Sequence, residues 1–206
     1  MDLSVGVAAR VAALCLDEAG HLSPRLLCGT AVRGGLLLDL ALAGRVESAE
    51  DSIVVDPTPT GFGPADRLLA AIAVEPERSL DDWLDERRIG LRDVAEANVL
   101  SGRWELRRGL FRRRYTDLRP GRAELDRALV PADAGQGWAP VDACVAAIAC
   151  GSDLLDGDRG RPPGEVIAAS GTVAWLCTAV VEHVLLTGAR YQSQAGALGA
   201  GTMGPF

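Results

Sequence analysis

The residues best able to do chemistry in this chain are its arginines, because they are unevenly placed. Between Arg87 and Arg122, eleven arginines meet four acids (Asp93, Glu96, Glu105 and Asp117), a balance of +7; the remainder holds ten arginines and 24 acids, or −14. A basic block inside a chain of net charge −7 creates a local positive potential that the bulk charge conceals. Its densest part, residues 102–115, sets six arginines (Arg103, Arg107, Arg108, Arg112, Arg113, Arg114) among Trp104, Leu110, Phe111 and Tyr115. Apolar and aromatic residues between positive charges suit an anionic bilayer interface, where each arginine contributes about 1 kcal/mol. Arginine stems covering an acidic helix or a second subunit fit the same pattern. Nucleic acid fits it less well, since arginine beside aromatics suits phosphates and bases but the acidic remainder repels them.

Other chemistries find few residues to use. A nucleophile–base pair could draw only on His21 and His183, and His183 sits among Val and Leu as a satisfied core residue would. The chain has no lysine, so no phosphate-binding loop ending in Gly-Lys exists. The glycine-rich stretch 196–201 follows no strand and opens no helix. Asp81-Asp82 and the Asp156/Asp158 pair read as solvated helix ends and turns. Two histidines and five scattered cysteines (Cys15, Cys28, Cys144, Cys150, Cys177) make no metal set, and the expectation for the cysteines is buried free thiols in a reducing compartment. Neither catalysis, nor a cofactor, nor a metal is expected.

The elements that must hold the arginines are helical. Hydrophobic residues make up 48% and aromatics only 4%, a composition that fills a core with Ala, Leu and Val from packed helices. Helices are expected over residues 4–17 with Ser4 as cap, 24–43, 64–73, 79–90 with Ser79 as cap, 91–100, 120–130, 140–155 and 163–188. Short strands are expected around 45–55 and in the arginine-rich hairpin. The fold class is thus mainly α, a single helical domain over 1–187 with two short β-hairpins and a Gly/Ala-rich tail over 188–206. The first residues lack the positive region of a secretory signal, and the longest uncharged run, 166–181, falls short of the roughly 20 residues a spanning helix needs. A buried core helix is the expectation there, in an ordinary cytosolic, bacterial-type protein. One internal echo stands out: residues 40–47 and 98–105 both read helix, Gly-Arg, strand, as two winged-helix-like units would.

Four stretches, in order, resemble the Golgi phosphoprotein 3 (GPP34) family. They are Ala-Ala-Leu-Cys-Leu-Asp-Glu-Ala-Gly at 12–20, Val-Arg-Gly-Gly-Leu-Leu-Leu-Asp-Leu-Ala-Leu-Ala-Gly-Arg at 32–45, Asp-Pro-Thr-Pro-Thr-Gly at 56–61, and Ala-Cys-Gly-Ser-Asp-Leu-Leu at 149–155. The resemblance implies a helical domain that binds phosphatidylinositol 4-phosphate through a basic pocket beside a hydrophobic hairpin. It aligns Arg33 and Arg88 with two pocket arginines, and Leu91 with a third, flanked by Arg87 and Arg92. Pro24 stands where the family has a pocket tryptophan. The implied membrane-contact hairpin comprises Arg107, Arg108, Leu110, Phe111, Arg112, Arg113 and Arg114. The resulting expectation is a cytoplasmic protein, peripherally associated with membrane, whose partner is an anionic lipid headgroup. The alternative is a regulatory module that self-associates by packing Leu110 and Phe111 across a two-fold axis, with nucleic acid a lesser possibility.

Overall fold

A computed structural model describes residues 2–49, 52–109, 112–128, 137–155 and 160–200, with side chains at 49, 52, 53 and 194–200 left aside. Among the described residues the helices are α1 (Val7–Leu14), α2 (Leu26–Leu42), α3 (Gly63–Val74), α4 (Leu80–Asp85), α5 (Leu91–Leu100), α6 (Pro120–Arg127), α7 (Pro140–Gly151), α8 (Gly164–Ala169) and α9 (Ala174–Ala200). Two antiparallel hairpins interrupt them: β1 (Val46–Ala49) with β2 (Ser52–Val55), and β3 (Trp104–Arg108) with β4 (Arg113–Asp117). The mainly α class with two hairpins is therefore what the chain forms.

The centre of the fold is α2. Apart from Thr30, Arg33 and Asp39 it is apolar all round, as a helix enclosed by others tends to be, and it touches α1, α3, α4, α5, α7 and α9. Gly34 and Gly35 explain how two neighbours come so close. A Cβ on Gly34 would lie 2.3 Å from the Val180 side chain, and one on Gly35 would lie 2.8 Å from the Ala8 backbone. Charge is enclosed too. Arg10 on α1, 7% exposed, donates to both carboxylate oxygens of Asp126 on α6 at 2.9 and 2.6 Å, and pairs with Asp142 on α7 at 2.8 Å. A bidentate pair of this kind fixes three helices in one orientation. His183 on α9, 6% exposed, meets Asp81 at 2.8 Å and Asp85 at 3.1 Å, so it is a satisfied core residue. All five cysteines are buried, and none forms a disulfide among the described residues.

The two Gly-Arg turns are built alike. Gly44 (φ +65°) and Gly102 (φ +70°) take the left-handed conformation that ends a helix. Arg45 N–H then donates to the Leu40 carbonyl at 2.8 Å, and Arg103 N–H to the Asn98 carbonyl at 2.9 Å. Each hairpin is closed at its base by a return bond, Asp56 N–H to Arg45 O at 2.9 Å and Leu118 N–H to Arg103 O at 3.0 Å.

Several boundaries differ from expectation: α2 spans Leu26–Leu42 rather than 24–43, and α1 and α7 end at Leu14 and Gly151, short of the expected 17 and 155. Ser4 does not cap α1: residues Leu3–Val5 form a 3-10 turn capped by Asp2, and α1 begins at Val7. Its first free amides, Val7 and Ala8, donate to the carboxylate of Asp39 on α2 at 2.7 and 3.0 Å. Helix α4 stops at Asp85, because Gly90 instead caps α5 and donates its N–H to Asp93 at 2.9 Å. The expected 163–188 helix is broken at Gly171, whose φ is +66°. Beyond that break α9 runs through Gly188 to Ala200, because an interior glycine costs a helix about 1 kcal/mol without ending it. The span Gly171–Ser193 is long and apolar enough to cross a membrane, yet 44% of its window is buried. Leu176, Cys177, Val180 and Val181 all belong to the core, as a core helix requires.

Candidate anion-binding face

Alternation along β3 and β4 positions the arginines. Trp104 and Tyr115 point into the core, 4% and 2% exposed, with their rings edge-to-face at 6.1 Å. Tyr115 N–H donates to the Gly20 carbonyl at 2.7 Å, which docks the hairpin onto the α1–α2 loop. Anchoring these residues carries the far end of the hairpin into solvent, where the register sets Arg107 opposite Arg114 and Arg108 opposite Arg113. Like charges directly opposed across an antiparallel pair are mutually destabilising. Two of these four have acidic neighbours: Arg107 reaches Glu105 at 3.2 Å, and Arg113 reaches Glu96 on α5 at 2.7 Å. Arg108 and Arg114, with Arg112 at the turn, are exposed and have no ion pair among the described residues. Leu110 and Phe111, the expected apolar tip, lie outside the described residues.

A groove of about 460 Å³ runs between the α1–α2 loop, the start of α5 and β4. Arg92, Arg112 and Arg113 line it together with Pro24. Arg92 and Arg113 both bond Glu96, and these two guanidinium groups, Arg92 first, hold its carboxyl below the ordinary carboxylate range. His21, considered above only as a possible base, and Asp17 also border the groove. Their only sequence signal is that they precede Pro24 in the loop.

Arg33 is placed differently. It is 4% exposed, donates from Nε to the Leu84 carbonyl at 2.6 Å and from Nη2 to Thr30 Oγ1 at 3.1 Å, and makes no ion pair among the described residues. Burial pushes its pKa down, with Asp85 opposing, but a guanidinium stays charged at neutral pH. Nη1 lies beneath Gly90, where an added Cβ would stand 3.3 Å away, at the cap of the helix that carries Arg92. A buried charge held only by neutral acceptors is an arrangement that an anion would complete. Arg87 and Arg88 are exposed on the preceding loop; the Arg88 N–H donates to Glu86 Oε1 at 3.0 Å, while its guanidinium Nε stays 3.9 Å from that oxygen.

Helices wrapped around a largely apolar central helix, with one basic hairpin face, define a helical domain whose positive charge is concentrated on one hairpin. The chain belongs to the Golgi phosphoprotein 3 (GPP34) family, whose model matches residues 8–166. The comparison with curated proteins found no match.

Proposed function

We propose that this chain is a non-enzymatic, cytoplasmic protein that associates peripherally with membranes by binding anionic phospholipid headgroups, of which phosphatidylinositol 4-phosphate is the type. The observation that carries the reading is the doubly opposed arginine pairing, Arg107 with Arg114 and Arg108 with Arg113, beside Arg112, which has no ion pair among the described residues. Such a hairpin repels itself until phosphate oxygens lie between its arginines. The buried Arg33 and the exposed Arg87, Arg88 and Arg92 add a second cationic region near the start of α5, suited to a headgroup phosphate.

Co-sedimentation with vesicles of neutral lipid, phosphatidylinositol or its 4-phosphate tests this. Pelleting with anionic vesicles at low salt is expected, and replacing Arg112, Arg113 and Arg114 with Ser should weaken it about a hundredfold, at about 1 kcal/mol per arginine. Failure to pellet with either anionic vesicle would sink the proposal. Concentration-dependent dimerisation that disappears in the triple-serine variant, without lipid binding, would replace it with self-association.

A further inference from the structure

A second cavity, of about 380 Å³, opens among α1, α5, β3 and α6. It shares no lining residue with the basic groove. At its wall is Asn98, 1% exposed, with neither Oδ1 nor Nδ2 meeting a hydrogen-bond partner among the described residues. Each unmatched buried polar atom costs on the order of 1–3 kcal/mol, so an orphaned amide is an expensive way to fill a helix position. Core packing does not demand it. The matching position of the other Gly-Arg unit is Leu40, fully buried and apolar.

The surrounding charges narrow what could satisfy Asn98. Inside the cavity Arg10 is closed by its bidentate bond to Asp126, and Arg122 is tied to Asp126 at 3.1 Å and to Asp142 at 2.6 Å. Arg103 is held by Asp2 at 2.9 Å. Arg119, exposed and with no ion pair among the described residues, is the cation left open on the lining. The buried indole of Trp104 supplies a flat wall. A carboxamide presents one donor and one acceptor side by side, the pattern that pairs with another amide edge or with the amino–ring-nitrogen edge of adenine.

We propose that this cavity is a second ligand site, taking a small organic anion whose planar donor–acceptor edge pairs with Asn98 and whose acidic group meets Arg119. Volume agrees, since small-molecule pockets begin at about 300 Å³.

Titration calorimetry on the full chain with two probes distinguishes the sources of that edge: AMP offers an adenine, and succinamate offers a carboxamide bearing a carboxylate. Millimolar or tighter binding of either supports the site and assigns its class. Asn98→Leu should abolish that binding while raising the thermal midpoint of the ligand-free protein, and Arg119→Ser, a surface change, should weaken it about tenfold. Ribose 5-phosphate, which has no such edge, should not bind. The proposal is overturned if neither probe binds. It is equally overturned if Asn98→Leu leaves binding intact, or if ribose 5-phosphate binds as well as AMP.

Discussion

The unit α2–β1–β2 and the unit α5–β3–β4 end their helices with the same bonds and then diverge in every side chain that matters. Counting from the two glycines, Asp39 corresponds to Ala97, Leu40 to Asn98 and Val46 to Trp104. In the first unit these residues all serve the interior: Asp39 caps α1, while Leu40 and Val46 are buried in the core. In the second, Asn98 is left unmatched among the described residues, and beyond the Trp104–Asp117 and Glu105–Thr116 pairs, which correspond to Val46–Val55 and Glu47–Val54, the hairpin runs on into four mutually facing arginines. A backbone frame fixed by two such hydrogen bonds and a left-handed glycine can therefore carry side chains that serve the core or side chains that do not. The side chains alone tell which unit is which.

The largest effect expected from breaking that contrast is at Asp39, whose counterpart is alanine. Burial raises its pKa to about 7, against the opposing pull of the Ala8 and Val7 amides and Arg10. A carboxyl more easily protonated when folded stabilises the fold most below its ordinary range, and that contribution is lost as pH rises from about 4 to about 7. At about 1.4 kcal/mol per unit the loss approaches 4 kcal/mol. The exposed acids whose pKa values are lowered, such as Asp56 and Glu96, act in the opposite sense and at lower pH. Urea unfolding between pH 4.5 and 7.5 should thus show a declining midpoint in the native protein and a nearly flat one in Asp39→Asn. If the decline survives the substitution, it does not arise from this carboxyl.

Next in size is the exchange of Leu40 for the residue of the other unit. Leu40→Asn puts an amide where the core is closed and offers nothing to bond, so it should cost about 3 kcal/mol in denaturant unfolding. Asn98→Leu, in the same assay, should gain stability. A loss at both positions would mean that Asn98 is matched in solution and that the two units are alike in this respect as well.

How much of this was legible depended on how local the signal was. Gly44, Gly102, the Ser79 cap, the bounds of α5 and the starts of α6 and α7 at Pro120 and Pro140 are written within a few residues of where they act, and the repeated Gly-Arg pattern did mark two equivalent turns. The start of α1 was not legible, because its cap comes from Asp39, 32 residues away in the chain. Neither was the burial of Arg33, which depends on Leu84 arriving from α4. The groove was half legible: its arginines were, but not their meeting with Pro24, which depends on Tyr115 docking against Gly20. Asn98 reads as an ordinary helix residue until its neighbours are known.

The smallest effect tests what the two units share. A Cβ on either Gly44 or Gly102 would meet nothing within 4 Å, so Gly→Ala at each position probes the left-handed backbone without a steric term. Holding an alanine there costs about 1–2 kcal/mol, and the two substitutions should agree to within about 0.5 kcal/mol, near the usual scatter of independent sites. Paired thermal unfolding of Gly44→Ala and Gly102→Ala measures this directly. A much smaller cost at Gly102 would mean that the second turn relaxes where the first cannot. The common frame would then hold only in the first unit, and the arginine hairpin would be free to change its angle against α5.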